Sequence, residues 1–331
     1  EDIPGISGAS QTLWTVYNDL DEGQNIGIYG APSTGLEVQE TYWAYALANP
    51  LGSTVFKRVR LIYKGKVDTP NDAVVEEMYI SQWSDPDLGQ YTDDFAGGDS
   101  SLSLGYVYNG SNNDAVWDSW GMAPPAAGYD FLQGPVVASE GDTALFDFKP
   151  LPGYRNLPMT TFTFFAAGSP RSDPDLNDYA GTLQWYNLMR GCEPRPEYPT
   201  CDPLYDDLGN QTNFELAGDP VLASGDRDGM PTAFNDRRFP PGDRRLVLAT
   251  GPFTLAKGDT QEVVVALIGA AGENFLQSVA ILKFNDNFAQ EAYDNVFDLP
   301  SGPPAPNVNV VELDQQVVLE WESDEEARVN T

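Results

Sequence analysis

Glu262–Ile268, EVVVALI, is a near-continuous apolar run, and its lack of polar alternation predicts a strand covered on both faces at the centre of a sheet. The run just before it, Arg245–Leu255, is also strand-like. Far upstream, Thr54–Tyr63 (TVFKRVRLIY) alternates cleanly, Val55, Lys57, Val59 and Leu61 opposing Phe56, Arg58, Arg60 and Ile62, as in a strand with two different faces. Leu13–Tyr17, Ile26–Tyr29, Leu36–Ala48, Ala73–Trp83, Leu102–Tyr108, Thr143–Phe148 and Thr160–Ala167 complete a strand-dominated list. Helical spacing is confined to two stretches. Asp178–Met189 places Tyr179, Leu183 and Tyr186 on one stripe behind Asn177 or Asp178 as N-cap, and Glu273–Phe297 repeats Phe275, Val279, Leu282 and Phe288. The fold class expected is mainly β: an antiparallel, β-sandwich-like domain with one or two helices.

Residues 1–299 read as that domain, 300–306 (with PSGPPAP at Pro300–Pro306) as a Pro-rich linker, and 307–331 as the first two strands of a truncated module. The chain starts at Glu1 without Met or a signal-like segment, as expected of a trimmed or mature product.

The composition restricts the partners. Fifty acidic against 18 basic residues give a net charge of −32, which repels nucleic-acid phosphates and anionic membranes. With no histidine, Ser-His-Asp and Cys-His catalysis and His-ligated zinc are excluded. No apolar run approaches the ~20 residues of a membrane span. The two cysteines, Cys192 and Cys201 in GCEPRPEYPTC, are expected to close a local disulfide in an oxidising, extracytoplasmic setting.

One stretch concentrates the acid. Gln82–Gly110, QWSDPDLGQYTDDFAGGDSSLSLGYVYNG, holds Asp85, Asp87, Asp93, Asp94 and Asp99 in what reads as a loop between strands. Calcium takes six to eight oxygens at about 2.3–2.6 Å from flexible loops, so these five are candidate ligands, although the spacing is not that of an EF-hand. Asx turns capping backbone N–H groups explain the same residues without an ion. The word SDPDL recurs at Ser172–Leu176, making Asp173, Asp175, Asn177 and Asp178 a second candidate set, with helix capping as its alternative. The repeat fits two related halves with a boundary near residue 150, or the same turn chemistry arising twice. A third oxygen cluster, GDRDG at Gly225–Gly229 with Asp219 and Asp236, is weakened by Arg227 at its centre, and Asn285–Asn287 (NDN) reads as solvated helix surface.

The runs WTVYNDLDEG, VFKRVRLIYKG, SDPDLG…DDF…LSLGYVYNG, LQWYNLMRG and SVAILKFNDNFAQEAYD resemble large secreted surface proteins of Bacteroidota-like bacteria. In that family such a domain is usually followed by fibronectin type III modules and a type IX secretion sorting domain. PPAPNVNVVELDQQVVLEW resembles the opening of a fibronectin type III module. The resemblance implies export and a place at the cell surface, and carries over no activity and no catalytic residue.

The function expected is therefore a non-enzymatic, calcium-stabilised structural or adhesive protein that is secreted and held at the cell surface. Its expected partners are other copies of itself, assembling into a filament or surface layer, or an extracellular polysaccharide. Trp117, Trp120, Arg237, Arg238, Arg244 and Arg245 are the candidate partner-binding residues. The alternatives are a carbohydrate-binding module and an extracellular hydrolase using paired carboxylates.

Overall fold

The computed structural model describes residues 6, 8–230, 239–299 and 308–321. Its strands are β1 Gln11–Asn18, β2 Leu36–Ala44, β3 Thr54–Tyr63, β4 Val74–Ser84, β5 Asp94–Asp99, β6 Leu104–Asn109, β7 Ala126–Gln133 and β8 Val136–Phe146. They continue as β9 Lys149–Asn156, β10 Thr161–Ala166, β11 Leu204–Tyr205, β12 Gln211–Thr212, β13 Arg244–Ala256, β14 Thr260–Ala270, β15 Val308–Leu313 and β16 Gln316–Trp321. The helices are α1 Glu22–Tyr29, α2 Ala115–Asp118, α3 Tyr179–Met189 and α4 Phe275–Asp294.

The protein is mainly antiparallel β. A seven-stranded sheet runs β1-β2-β3-β14-β7-β6-β5, and a three-stranded sheet runs β10-β13-β4. β14 lies at the centre of the large sheet, between β3 and β7. Its alternation explains its unbroken apolar sequence. Val263 and Val265 pack toward the three-stranded sheet with Phe162, Phe164, Leu246 and Leu248, while Val264, Ala266 and Ile268 pack toward α4 with Val279, Leu282 and Ala289. α3 covers the far side of the small sheet, where Leu188 and Trp185 meet Phe165 and Val247. The layers are thus α4, large sheet, small sheet, α3. No helix among the described residues is long and apolar enough to cross a membrane.

Several expectations need correction. Ile26–Tyr29 belongs to helix α1, which Asp21 caps by accepting from Gln24 N–H and left-handed Gly30 ends. Residue 150 is no structural boundary: the β8–β9 hairpin spans it, and strands from both sides interleave in both sheets. Asp94–Asp99 is a strand, not loop. Two of its residues must be glycine, because a Cβ on Gly97 would lie 2.5 Å from the Tyr106 ring and one on Gly98 2.6 Å from Phe162. The linker 300–306 lies outside the described residues. Within 307–331 the two expected strands form the β15–β16 hairpin.

Candidate cation centre at the strand ends

β13 begins between the ends of two other strands. Ser84 of β4 is level with Leu246, while Phe165 and Ala166 of β10 are level with Arg245 and Arg244. Both SDPDL words therefore leave the same end of the three-stranded sheet, one on either side of β13. Arg245 joins them. Its Nε lies 3.1 Å from Asp85 Oδ2, its Nη1 3.4 Å from Asp173 Oδ2, and its Nη2 donates to Asp243 Oδ2 at 3.1 Å. Two stretches 88 residues apart in sequence form one acidic clamp around one guanidinium.

Asp85, Asp87 and Asp243 each bring a carboxylate oxygen within 4.8 Å of the other two, and among the described residues no other three acidic or thiol side chains converge this closely. Asp243 Oδ1 is buried without a hydrogen-bond partner. Burial, then the charges of Asp85 and Asp243, raise Asp87 above the ordinary carboxylate range, with Arg245 opposing.

A second acidic layer lies behind the triad. The loop 85–93 folds back so that Asp94 opens β5 opposite Asn109, the last residue of β6. Asp94 is 1% exposed; its Oδ2 accepts from Leu88 N–H at 3.2 Å, and its Oδ1 is unpartnered. Asn109 Oδ1 and Asp93 Oδ1 are also buried and unpartnered. Asp114 caps α2, accepting from Val116 and Trp117 N–H at 2.7 and 3.1 Å, and takes Gln90 N–H at 3.0 Å. Burial pushes the Asp114 carboxyl up, but these backbone donors together hold it below the ordinary range. Among the described residues, Asp94 has only the Leu88 donor. Burial, reinforced by Asp93, Asp114 and Asp87, pushes it up to about 7. Buried acceptors without donors carry a desolvation cost of about 1–3 kcal/mol each, which a cation among them would relieve.

The donor set is one that a hard cation could use. The converging side-chain atoms are all oxygens, Asp85 and Asp87 are exposed, and among the described residues Arg245 alone pairs with these carboxylates. Calcium suits an irregular oxygen set of this kind better than magnesium's octahedron.

The remaining sequence candidates fall elsewhere. Asp99, at the far end of β5, accepts from Ser101 and pairs with Lys283 at 2.9 Å, so it shares no centre with Asp85 or Asp87. Asp173 accepts from Trp83 Nε1 at 3.2 Å besides pairing with Arg245. Asp178 caps α3 through Ala180 N–H, Asn177 is left-handed at φ 64°, and Asp175 is exposed, so the second word does not gather its oxygens. In GDRDG, Asp228 forms a fully buried pair with Arg244 at 2.7 Å, and Asp219 pairs with Lys283. Arg244 is thus a core residue, not a docking residue. Arg237, Arg238 and Asp236 lie outside the described residues. Trp117 anchors the loop by donating to Leu88 O at 3.2 Å, and Trp120, stacked edge-on against it, is 65% exposed. Cys192 and Cys201 form a disulfide with Cα atoms 5.2 Å apart.

A close carboxyl pair does exist, with one member inside the Asn285–Asn287 run that the sequence reads as surface. Asp130 on β7 and Asp286 on α4 are 0% and 1% exposed and face one another between sheet and helix. Burial raises both, Asp286 to about 7, and the charge of Asp286 raises Asp130 further. Neither carboxyl is open to solvent. Of Asn285–Asn287 only Asn287 is solvated surface, since Asn285 and Asp286 are both buried. The α4 stripe Val279, Leu282, Ala289 continues through 285 and 286, and that phase is the signal that marks them as inward.

Compared with protein-family models and with curated proteins, the chain matches none.

Proposed function

We propose that this chain is a non-enzymatic, extracellular structural or adhesive module, held at the cell surface, whose strand ends are braced by calcium at Asp85, Asp87 and Asp243. The observation that carries this is the convergence of those three carboxylates within 4.8 Å beside Arg245. The ion neutralises the clamp left in excess by Arg245, and the buried oxygens of Asp93, Asp94 and Asn109 form its supporting layer. The bracing pins the two loops that leave β4 and β10, which would otherwise repel each other. The disulfide, the acid surface and the resemblance to secreted surface proteins support the extracellular setting. Isothermal titration of calcium into the chelator-treated protein tests it. One saturable site, lost in Asp85→Asn and in Asp243→Asn, is expected; no saturable heat, or heat unaltered by both substitutions, refutes it.

A second reading, polysaccharide binding, is favoured by a cleft of about 820 Å³ beside the clamp. Tyr29, Trp83, Trp185 and Tyr186 line it together with the paired Asp173 and Arg245. Aromatic faces next to a hydrogen-bonding pair suit stacked sugar rings. Trp83→Ala is expected to abolish retention on immobilised polysaccharide; retention unchanged by that substitution rules the cleft out.

A further inference from the structure

We infer that β1 is the contact through which a second copy of this chain adds to the large sheet, strand against strand about a two-fold axis on Thr15. The seven-stranded and three-stranded sheets end in four edges, and three are closed or defended. β10 is covered by segment 213–215, with Phe162 N–H donating to Asn213 O and Glu215 N–H to Phe162 O. β5 is covered in the same way, Gly98 N–H donating to Leu216 O and Ala96 N–H to Asp228 Oδ2. β4 carries Glu76 and Glu77 and irregular register against β13. β1 has none of these devices. It is eight residues long, bonded among the described residues to β2 alone, and contains no proline, lysine or acid in a chain with 50 acids. Leu13, Trp14, Val16 and Tyr17 on it are 58, 59, 43 and 50% exposed. Leu13 and Tyr17 lie on one face of the strand and Trp14 and Val16 on the other, so apolar side chains flank this edge on both faces.

The ladder fixes which groups are available. Asp19 N–H donates to Leu36 O, the pair that continues the β1–β2 register. By antiparallel alternation the odd residues then bond to β2, and the N–H and C=O groups of Thr12, Trp14, Val16 and Asn18 point away from the sheet. Two copies of β1 meeting antiparallel about an axis normal to the sheet must pair residues of like parity. With the axis on Thr15, Trp14 faces Val16, Leu13 faces Tyr17 and Thr12 faces Asn18, so apolar meets apolar and polar meets polar. An uncharged strand also lets two molecules of net charge −32 touch without setting acid against acid. A second copy is therefore the occupant that β1 itself complements. The choice of a copy over another partner rests on the structural-module reading, whereas the interface does not depend on the cation.

Thr15→Cys tests the register. In this arrangement the two Thr15 residues form a pair not hydrogen-bonded to each other, with Cα atoms about 4.5 Å apart, inside the range a disulfide spans. The native cysteines are already joined. Under mild oxidation Thr15→Cys is expected to run as a covalent dimer, while Leu13→Cys, which would face Tyr17, stays largely uncrosslinked. In sedimentation the unmodified protein is expected to double its mass with concentration, and Trp14→Glu, at an exposed position, to weaken that association at least tenfold with an unchanged melting midpoint. A protein monomeric across its soluble range, or a dimer indifferent to Trp14→Glu, overturns the inference. Neither result bears on calcium binding, which the titration above reads separately.

Discussion

Single residues decide how this acidic chain holds together, and the decisive ones are the few cations. Arg245 is one-fifth exposed and touches Asp85, Asp173 and Asp243. Replacing it with Met removes the only positive charge that the described residues bring to the clamp. Arg245→Met is expected to lower stability by about 1–2 kcal/mol in denaturant titrations, with part of the loss recovered by added calcium. Glu262 is a sterner case. It is fully buried, accepts from Arg60 Nε at 2.9 Å, and takes Gln133 Nε2 and the Asp147 N–H. Glu262→Ala leaves the arginines of β3 without their buried partner and is expected to cost about 3–5 kcal/mol by the same measurement.

At the scale of elements, much of the fold was legible because period and burial agree. Thr54–Tyr63 alternates and is β3 with those bounds; EVVVALI does not alternate and is the doubly covered β14. Asp178–Met189 announced its helix through a capping residue and a stripe, and Asp178 does cap α3. The misreadings have physical reasons. Helix α1 buries none of its residues, so it shows no apolar stripe to set against a four-residue alternation. β5 contains Asp94, Gly97, Gly98 and Asp99, which as residue types signal a turn. The glycines serve close packing instead, a fact that exists only once Tyr106 and Phe162 are in place. Gly98→Ala is expected to destabilise by about 1–3 kcal/mol through overpacking against Phe162, read as a lower melting midpoint. The candidate site was legible in half. Asp85 and Asp87 were visible as carboxylates at i and i+2, but Asp243 comes from a segment about 155 residues away, and only the pairing of β4 with β13 brings it alongside.

The whole molecule carries its acidity in two ways that respond oppositely to pH. Asp99, Asp114, Asp147 and Asp219 are held below the ordinary range. Burial raises each of them, and hydrogen bonds and, except at Asp114, neighbouring cations outweigh it. The stability they provide is lost as pH falls through the acid range. Asp94 and Asp286 are raised to about 7, first by burial. They bind protons more tightly folded than unfolded, so their contribution is full below the unfolded carboxylate value of about 4 and is lost as pH rises through about 7. In chelator the melting midpoint is therefore expected to fall between about pH 5 and pH 8, and Asp286→Asn to flatten that slope. A midpoint that rises over this interval contradicts the assignment. A cation near Asp94 stabilises its ionised form, so calcium should flatten the slope as well.

The most direct test of the account is the melting midpoint of the intact protein in chelator, compared with the midpoint after calcium is restored at matched ionic strength. A site filled to about 100 times its dissociation constant adds about 2.7 kcal/mol, which moves the midpoint by several degrees. Calcium is expected to raise the midpoint of the natural chain and to leave Asp85→Asn/Asp243→Asn unmoved. Identical midpoints with and without calcium, or an equal rise in that double variant, contradict the claim that Asp85, Asp87 and Asp243 hold the ion bracing the strand ends.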